Sequence, residues 1–268
     1  EEVLKEGETL GFDGRVVSVG EGEGYAAIAG KKNAKVNYQV DLIDEIWEDR
    51  PVLSEEPAFN LDVKYAGETV ASKLARIREE MKEAGTNVHV VSTIDDICWT
   101  LNIRGNDIDF FPLVLSYGII TMDSFELYID EKKLDDKLKA KLAKDGVNLH
   151  PYNDIYEDVK KFGSDVVAMI DPGKLNYALF NNIPENVKTV EKRNPAILMK
   201  AIKNPVEIEN IRKAQIKDSV AHVRFMKWLK ENVGKETITE MSASDKLDEF
   251  RAEMGGFIRP SFGPISAF

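Results

Sequence analysis

The stretch DDICWTLNIRGND (residues 95–107) is the part of the sequence that says most about the fold. It follows VHVV, a run typical of a buried strand, and it places a Cys and a Trp among aliphatic residues before an Arg-Gly-Asn-Asp turn. A carboxylate at a helix start can accept hydrogen bonds from free N–H groups, so we expect Asp95 or Asp96 to be an N-cap. The turn predicts that Arg104 lies at the mouth of a sheet.

Arg104 is the candidate site residue in this stretch. A guanidinium held by a turn can bind a substrate carboxylate or the edge of a peptide through paired hydrogen bonds. The structural alternative is an ion pair with Asp107 or Asp109 that stiffens the turn. The sequence leaves both interpretations open.

The other reactive side chains are better explained by structure than by catalysis. The single cysteine, Cys98, excludes an intramolecular disulfide, and its apolar neighbours indicate a buried thiol. His89 lies in a strand-like run, His150 precedes a proline, and His222 lies in a helical run as a core or interface residue. None of them has a carboxylate at metal-ligand spacing, so we expect no metal site within the chain.

The composition is that of a globular protein with an acidic surface. Of the 268 residues, 43% are hydrophobic and 31% are charged, and no apolar run approaches the ~20 residues that cross a bilayer. The net charge of −11 argues against nucleic-acid binding, which needs clustered Lys and Arg. We therefore expect no membrane span, no nucleic-acid partner and a cytoplasmic location, with which a single cysteine agrees.

Four segments follow one another along the chain. Residues 1–50 alternate strand-like and helix-like runs, as at one end of an α/β domain. Residues 51–66 carry two prolines among polar residues and are predicted to be a linker. Residues 67–192 alternate strands and amphipathic helices, which predicts a mixed sheet with helices on both faces. Residues 193–268 are predicted to contain two long helices and then strand-like runs.

Several local elements are predicted with defined limits. Residues 16–19 have the pattern of a strand, and residues 42–47 that of an acidic helix. The GEGEG run at residues 20–24 lacks the spacing of a dinucleotide-binding loop and has carboxylates where phosphate would bind, so a flexible connection is expected there. An antiparallel hairpin is predicted over residues 113–129.

The last segment is predicted to begin with a helix over residues 205–231. A second helix over residues 238–254 should be capped at Thr237 or Thr239, with a capping box between Thr237 and Glu240. Strand-like runs follow at the end of the chain, at residues 257–258 and 265–268.

The two helices carry large apolar side chains with no evident cover in the rest of the sequence. We expect these side chains to dock on the middle segment or on another chain. They are Phe225, Trp228, Leu229 and Phe250.

The opening stretch, together with FPLVLSY at residues 111–117, resembles the middle domain of the Xaa-Pro aminopeptidases. The resemblance continues in family order through DEIWEDRP, HPY, KNPVEI, SF and IS, at residues 44–51, 150–152, 203–208, 261–262 and 265–266. It implies an α/β fold with a creatinase N-terminal-like domain over residues 67–192. Residues 1–50 would be the tail of a similar domain, and residues 193–268 the start of a pita-bread catalytic domain.

This resemblance implies a metallo-exopeptidase that removes the N-terminal residue from peptides with proline in the second position. Family members hold two divalent metal ions, usually manganese, through two Asp, one His and two Glu, and the metals activate the attacking water. In the family order these ligands follow the strand that SF and IS resemble. We therefore expect an incomplete and inactive chain without catalytic or metal-binding residues. The resemblance also implies a homo-oligomer, with a dimer expected.

Two alternatives stay open. A pseudo-peptidase without metal ligands would keep the fold and bind basic peptides such as histone tails, which the acidic pI near 5.0 allows. A prolidase or creatinase would have a two-domain layout, against which the partial domain at residues 1–50 argues.

Overall fold

The computed structural model describes residues 2–267, which contain ten strands and ten α-helices. The strands are β1 (Thr9–Gly11), β2 (Lys35–Asn37), β3 (Phe59–Asn60), β4 (Val88–Val91), β5 (Ile103–Arg104), β6 (Tyr117–Thr121), β7 (Phe125–Tyr128), β8 (Val147–His150), β9 (Val167–Ile170) and β10 (Lys188–Glu191). The helices are α1 (Val19–Lys31), α2 (Val63–Ala66), α3 (Val70–Glu83), α4 (Ile94–Leu101), α5 (Asp136–Lys144), α6 (Ile155–Asp158), α7 (Tyr177–Asn181), α8 (Pro195–Ala201), α9 (Pro205–Asn232) and α10 (Glu240–Glu253).

The central sheet has six strands in the order β10-β9-β4-β6-β7-β8. The pairs β10–β9, β9–β4 and β7–β8 are parallel, whereas β4–β6 and β6–β7 are antiparallel. The sheet is therefore mixed, and β6 with β7 forms the predicted hairpin. The first strand of that hairpin starts at Tyr117 instead of residue 113, because Leu113 and Leu115 bond to the loop at Asp107.

Apolar cores cover both faces of this sheet. Successive side chains of a strand point to opposite faces, and Ile119 and Ile120 of β6 accordingly belong to different cores. Helices α3, α4 and α5 pack on one face, with Leu74 at its centre. Helices α1, α6 and α7 pack on the other, with Val19 and Leu179 fully buried. The prediction of helices on both faces is confirmed.

Helix α1 begins at Val19, within the run predicted to be a strand, and it contains the glycines predicted to form a flexible connection. Ser18 is its N-cap: the Ser18 hydroxyl accepts from the N–H of Glu21 at 3.3 Å, and the Glu21 carboxylate accepts from the N–H of Ser18 at 3.2 Å. The predicted strand at residues 16–19 and the flexible connection at residues 20–24 are therefore wrong. The glycine at position 22 allows Tyr177 to pack closely against α1, since a Cβ on Gly22 would lie 2.2 Å from the ring of Tyr177.

The predicted helix at residues 42–47 is also wrong, because this stretch forms turns. Asp41 organises them by accepting from the N–H of Ile43 at 3.0 Å and from Arg50 at 2.5 Å. Ile46 and Trp47 are exposed, at 77% and 46%. A short segment without tertiary packing does not sustain a helix in water.

Residues 51–66, predicted to be a linker, are fastened to the middle of the chain. Strand β3 pairs antiparallel with β5, matching Phe59 with Arg104 and Asn60 with Ile103. The N–H of Leu61 also donates to the carbonyl of Asn102 at 2.7 Å. The segment is therefore held by backbone hydrogen bonds on one side of α4.

A tight joint connects α2 to the start of α9. Gly67 ends α2 with a φ of 70°, and a Cβ at this position would lie 2.2 Å from Oδ1 of Asn204. The Asn204 side chain donates to the carbonyl of Ala66 at 2.8 Å and forms a capping box with Glu207. Only glycine suits position 67, for both conformation and space.

Helices α9 and α10 pack against each other. The prediction of a helix from residue 205 is confirmed, with its end at Asn232. Thr239 caps α10, as one of the two predicted positions, but its capping box is made with Ser242, so the box predicted between Thr237 and Glu240 is wrong.

The apolar side chains of this helix pair are half-buried between the two helices. Phe225 stacks with Trp228 at 6.0 Å, and the guanidinium of Arg224 lies 4.7 Å from the ring of Phe250. These residues are therefore partly covered between α9 and α10 and not by the middle segment, and their docking on another chain stays a prediction. Residues 257–258 and 265–267 form no strand, and Phe268 lies outside the described residues.

Candidate functional site

The candidate site is the loop at residues 104–112, which we call the Arg104 loop. It begins where α4 ends at Asn102, a residue in the left-handed conformation with a φ of 52° that Asn tolerates well. The Asn102 side chain donates to the carbonyl of Glu68 at 2.9 Å and accepts from Lys73 at 2.6 Å. These bonds fix the point at which the chain leaves α4 for Arg104.

Two cations bind the carbonyl groups at the end of α4. Nη1 of Arg104 donates to the carbonyls of Cys98 at 2.9 Å and Ile103 at 2.8 Å. Nζ of Lys73 donates to the carbonyl of Trp99 at 2.7 Å and lies 4.3 Å from its ring centre. The N–H of Asn102 also donates to the Cys98 and Trp99 carbonyls. This end of the helix carries the negative end of the helix dipole, so positive charge stabilises it.

Burial changes the proton affinity of both cations. Burial, assisted by the nearby charge of Arg104, lowers the pKa of Lys73 to about 8. Burial also lowers the pKa of Arg104, which stays charged at neutral pH. The end of α4 therefore concentrates positive charge with no carboxylate in direct contact among the described residues.

One edge of the Arg104 guanidinium remains available. Its Nε and Nη2 have no hydrogen-bond partner within residues 2–267, and neither is enclosed from water. These two N–H directions form the fork that matches a carboxylate. The predicted alternative of an ion pair with Asp107 is wrong, and none forms with Asp109 in the described chain, because Asp107 pairs elsewhere.

Asp107 holds the loop through a buried ion pair with Lys133. The two side chains are 0% and 2% exposed, and Nζ of Lys133 lies 2.5 Å from Oδ2 of Asp107. The same oxygen accepts from the N–H of Leu115 at 2.7 Å, whereas Oδ1 is buried without a partner. The pair therefore anchors the Arg104 loop to the 3-10 turn at Glu131–Lys133.

The two carboxylates before Cys98 do not cap α4, so the N-cap prediction for Asp95 or Asp96 is wrong. Thr93 occupies the cap position, and both aspartates lie in the first turn. Asp96 is buried and accepts from Thr93 at 2.6 Å, Asn194 at 2.9 Å and Lys200 at 2.7 Å. Lys200 also pairs with Asp95. The aspartates thus join α4 to α8.

Cys98 and His89 lie where the sequence predicted. Cys98 is 1% exposed, and burial raises the pKa of its thiol to about 11, so it is a packing residue and not a nucleophile. His89 is buried in β4 and bonds to the carbonyl of Met169 at 3.1 Å and to Oδ1 of Asn194 at 3.2 Å. Both residues serve the core.

The remaining histidines are also engaged in local contacts. His150 ends β8 and bonds to Glu126 at 2.6 Å. His222 bonds to the carbonyl of Asp218 at 3.1 Å, one turn earlier in α9. Within residues 2–267, no group of three or more His, Cys, Asp and Glu side chains is placed to hold a metal ion. The described residues therefore do not fit a metal centre.

A cavity of about 410 Å³ separates the Arg104 loop from the segment after α10. Phe110 lines it with a φ of 66°, an uncommon conformation for a bulky side chain. From the opposite wall, Arg259 donates to the carbonyl of Gly105 at 3.0 Å and to the side chain of Asn106, while its Nε is buried without a partner. The loop is thus bound on both sides.

Sequence reasoning missed Phe110 and Arg259. The positive φ of Phe110 leaves no signature in a run of two phenylalanines. Arg259 gave a weak signal as a single cation within the stretch FIRPSF, which is otherwise uncharged.

Comparison with known proteins places this geometry in context. Residues 49–207 match the family model of the creatinase/prolidase N-terminal domain. A probable Xaa-Pro aminopeptidase P of Sordaria macrospora is 34% identical over 97% of this chain and 45% of its own length. Xaa-Pro aminopeptidase 1 of Dictyostelium discoideum is 35% identical over 96% of this chain and 43% of its own length.

A solved structure agrees over the same extent. The X-prolyl aminopeptidase of Caenorhabditis elegans, described as a cytosolic enzyme with a di-nuclear active site, superposes with a TM-score of 0.93 at 30% identity. The match covers 99% of this chain and 44% of that one. The chain thus spans less than half the length of these relatives. Among the described helices, none combines the length and apolar character that a bilayer crossing requires.

Proposed function

The chain belongs to the Xaa-Pro aminopeptidase family, with a creatinase/prolidase N-terminal domain, and from that membership we propose that it forms the amino-terminal part of such an enzyme. The enzyme would remove the N-terminal residue from peptides with proline in the second position. The observation that carries this proposal is the agreement with the Caenorhabditis elegans enzyme over 99% of the chain.

Within that enzyme we propose four parts. Residues 1–50 belong to a first domain, residues 51–66 connect it, residues 67–192 form a complete middle domain, and residues 193–268 begin the peptidase domain. Most residues of the two cores around the six-stranded sheet lie within residues 67–192, which supports the middle domain, and Val19, Ala58 and Ala196 join these cores from the neighbouring parts. The mutual packing of α9 and α10 supports a separate last part.

We propose that the Arg104 loop forms one wall of the substrate cleft and that Arg104 binds the substrate. Its free edge is suited to a carboxylate or to peptide carbonyls, and its Nη1 is fixed on α4. The buried pair of Asp107 and Lys133 keeps the loop in place. A pre-positioned guanidinium loses less freedom on binding than a mobile side chain would.

Two divalent metal ions, with manganese proposed, would act in the complete enzyme as Lewis acids and as the source of the attacking hydroxide. The di-nuclear site of the Caenorhabditis elegans relative supports two metals. Because the described residues do not fit such a site, we propose that the present chain is inactive alone. A dimeric assembly and a cytoplasmic location complete the proposal, the latter supported by the cytosolic relative.

A peptidase assay tests this function. The 268-residue chain and a version extended to the length of its relatives are incubated with Mn²⁺ and the tripeptide Arg-Pro-Pro. We expect release of free arginine by the extended protein alone. Turnover by the short chain would contradict its inactivity. An extended protein that neither binds Mn²⁺ nor cleaves the peptide, but binds histone tails, would establish the pseudo-peptidase instead.

Variants of Arg104 in the extended protein test its proposed role. Loss of a charge-assisted hydrogen bond costs about 1.5–3 kcal/mol, so we expect Arg104→Gln to raise KM about tenfold or more and Arg104→Lys to give an intermediate value. Arg76→Gln is the control, because Arg76 is an exposed residue of α3 that pairs with Glu68. If Arg104→Gln left KM unchanged, Arg104 would have only a structural role at the end of α4.

A further inference from the structure

A groove of about 760 Å³ lies between the first segment of the chain and the middle domain, apart from the Arg104 loop. We call it the Arg15 groove, and its lining includes Arg15, Tyr117, Tyr152, Tyr156 and Lys160. Neither the family assignment nor the candidate site gives it a role.

Two half-buried tyrosines, Tyr117 and Tyr152, form an aromatic wall of this groove, and the buried Tyr156 packs against Tyr117. The ring of Tyr117 lies 5.0 Å from that of Tyr152 and 5.9 Å from that of Tyr156. The hydroxyls of Tyr117 and Tyr156 are 3.2 Å apart, and Asn176 donates to the Tyr156 hydroxyl at 3.1 Å. Burial raises the pKa of both phenols, so the wall is uncharged at neutral pH. Such rings stack on proline and on other aromatic side chains.

Arg15 supplies a free cation beside this wall. Its guanidinium carbon lies 4.7 Å from the centre of the Tyr156 ring, which holds the cation against that ring. Its neighbour Asp13 accepts from the backbone N–H of Arg15 at 2.8 Å and forms no ion pair with the guanidinium. Within residues 2–267 the guanidinium has no hydrogen-bond or ion-pair partner, so its donors are available to a ligand.

The other cations along the groove are already paired. Arg50 contacts Asp41 at 2.5 Å and Asp44 at 3.3 Å. Lys160 contacts Glu157 at 2.6 Å. Among the cations that line the groove, Arg15 is therefore the one without an ion pair in the described chain, although the lining also carries the carboxylate of Asp13. A ligand that suits both Arg15 and the aromatic wall has one carboxylate adjacent to a ring.

We propose that the Arg15 groove binds the carboxyl-terminal end of a proline-containing peptide. The terminal carboxylate takes the guanidinium fork of Arg15, and the proline rings lie on the tyrosine wall. Proline-rich segments are extended before binding and lose little conformational freedom on such surfaces. The choice of a proline peptide rests on the proposed function, whereas the carboxylate preference follows from Arg15 itself.

Calorimetric titration of the 268-residue chain tests the proposal without turnover. The ligands are Gly-Pro-Pro as the free acid, the same tripeptide as its amide, and acetate. We expect the acid to bind at least about tenfold more tightly than the amide, the scale of one charge-assisted bond. Arg15→Gln should abolish this preference, and Lys160→Gln, which removes a paired cation, should retain it. Unchanged thermal unfolding verifies that each variant is folded.

The possible outcomes separate the two proposals. If the acid and the amide bound equally, or if the preference for the acid survived Arg15→Gln, the proposed carboxylate binding at Arg15 would be wrong. Acetate that binds as tightly as the tripeptide acid would overturn the peptide assignment. Peptide cleavage by the extended protein is measured separately, so the groove can fail while the proposed function stands, and the reverse also holds.

Discussion

Replacing Lys133 by Met should destabilise the chain by about 3–5 kcal/mol, the scale observed when one partner of a buried ion pair is removed. The partner carboxylate of Asp107 is 0% exposed and already has one oxygen without a hydrogen bond. The N–H of Leu115 would remain as its single donor, at 2.7 Å.

Urea unfolding of three variants measures this effect. Lys133→Met and Asp107→Asn should each lower the free energy of unfolding, and the double variant should cost about 1–3 kcal/mol less than their sum, because neither charge is left alone. Lys132→Met is the matched control at the neighbouring position. Lys132 and its partner Glu55 are 70% and 56% exposed, so its loss should cost no more than about 1 kcal/mol.

The buried pair would not hold the loop if Lys133→Met cost no more than Lys132→Met, or if the effects of the two charge variants were additive. Either result would mean that the loop is held by its backbone bonds alone. The N–H of Gly105 donates to the carbonyl of Pro112 at 3.3 Å, and that of Asp107 donates to Leu113 at 3.1 Å.

Three further predictions concern other parts of the chain. Gly22→Ala should destabilise the chain by about 1–3 kcal/mol because its Cβ would overlap Tyr177. Gly24→Ala has open space at its Cβ and should stabilise α1 by up to about 1 kcal/mol. Thermal unfolding would contradict this if both variants shifted the melting temperature in the same direction. Cys98, with its thiol pKa raised to about 11, should react with a disulfide reagent at pH 8 only after unfolding, and rapid native labelling would contradict its burial. The pKa of Lys73 is lowered to about 8 in the folded chain, so above pH 8 the unfolded state binds more protons than the folded state. The free energy of unfolding should therefore rise by up to about 1.4 kcal/mol per pH unit from pH 8 to 9.5. Lys73→Met should remove that rise, and the same pH slope in the variant and the unchanged chain would refute the prediction.

Sequence reasoning predicted the elements whose pattern and environment agree. Helix α3 places Val70, Leu74, Ile77 and Met81 on one face, and all four are buried in the structure. The hairpin of β6 and β7 was also predictable, because its alternation matches the two cores it separates. For these elements local propensity and tertiary packing favour the same structure.

The failures came where tertiary contact overrides local preference. Glycines in α1 indicated a loop, but Gly22 is required by the approach of Tyr177. Residues 42–47 have a helical composition without a surface to pack on. Asp96 was predicted to be a cap from its position before an apolar run. Its actual partners, Asn194 and Lys200, lie about a hundred positions later in the sequence and could not be identified from it.

The candidate site was predictable in part. Arg104 could be chosen from its turn, but its contacts with the end of α4 depend on the left-handed conformation of Asn102. The partner of Asp107 could not be chosen, since Lys132 and Lys133 are adjacent and only one of them points inward. A sequence does not show which face of a short 3-10 turn is buried.

The joint between Gly67 and Asn204 lies at one end of α9, so a small change of angle there would be amplified at the other end of the helix. The helix has 28 residues and is therefore about 42 Å long at ~1.5 Å per residue. A rotation of about 10° at the joint would displace the far end by about 7 Å, given that length. Helix α10 is packed along the outer half of α9 and would travel with it. A methyl group added at position 67 would push against Asn204 and would therefore change the position of α10, near the opposite end of the helix.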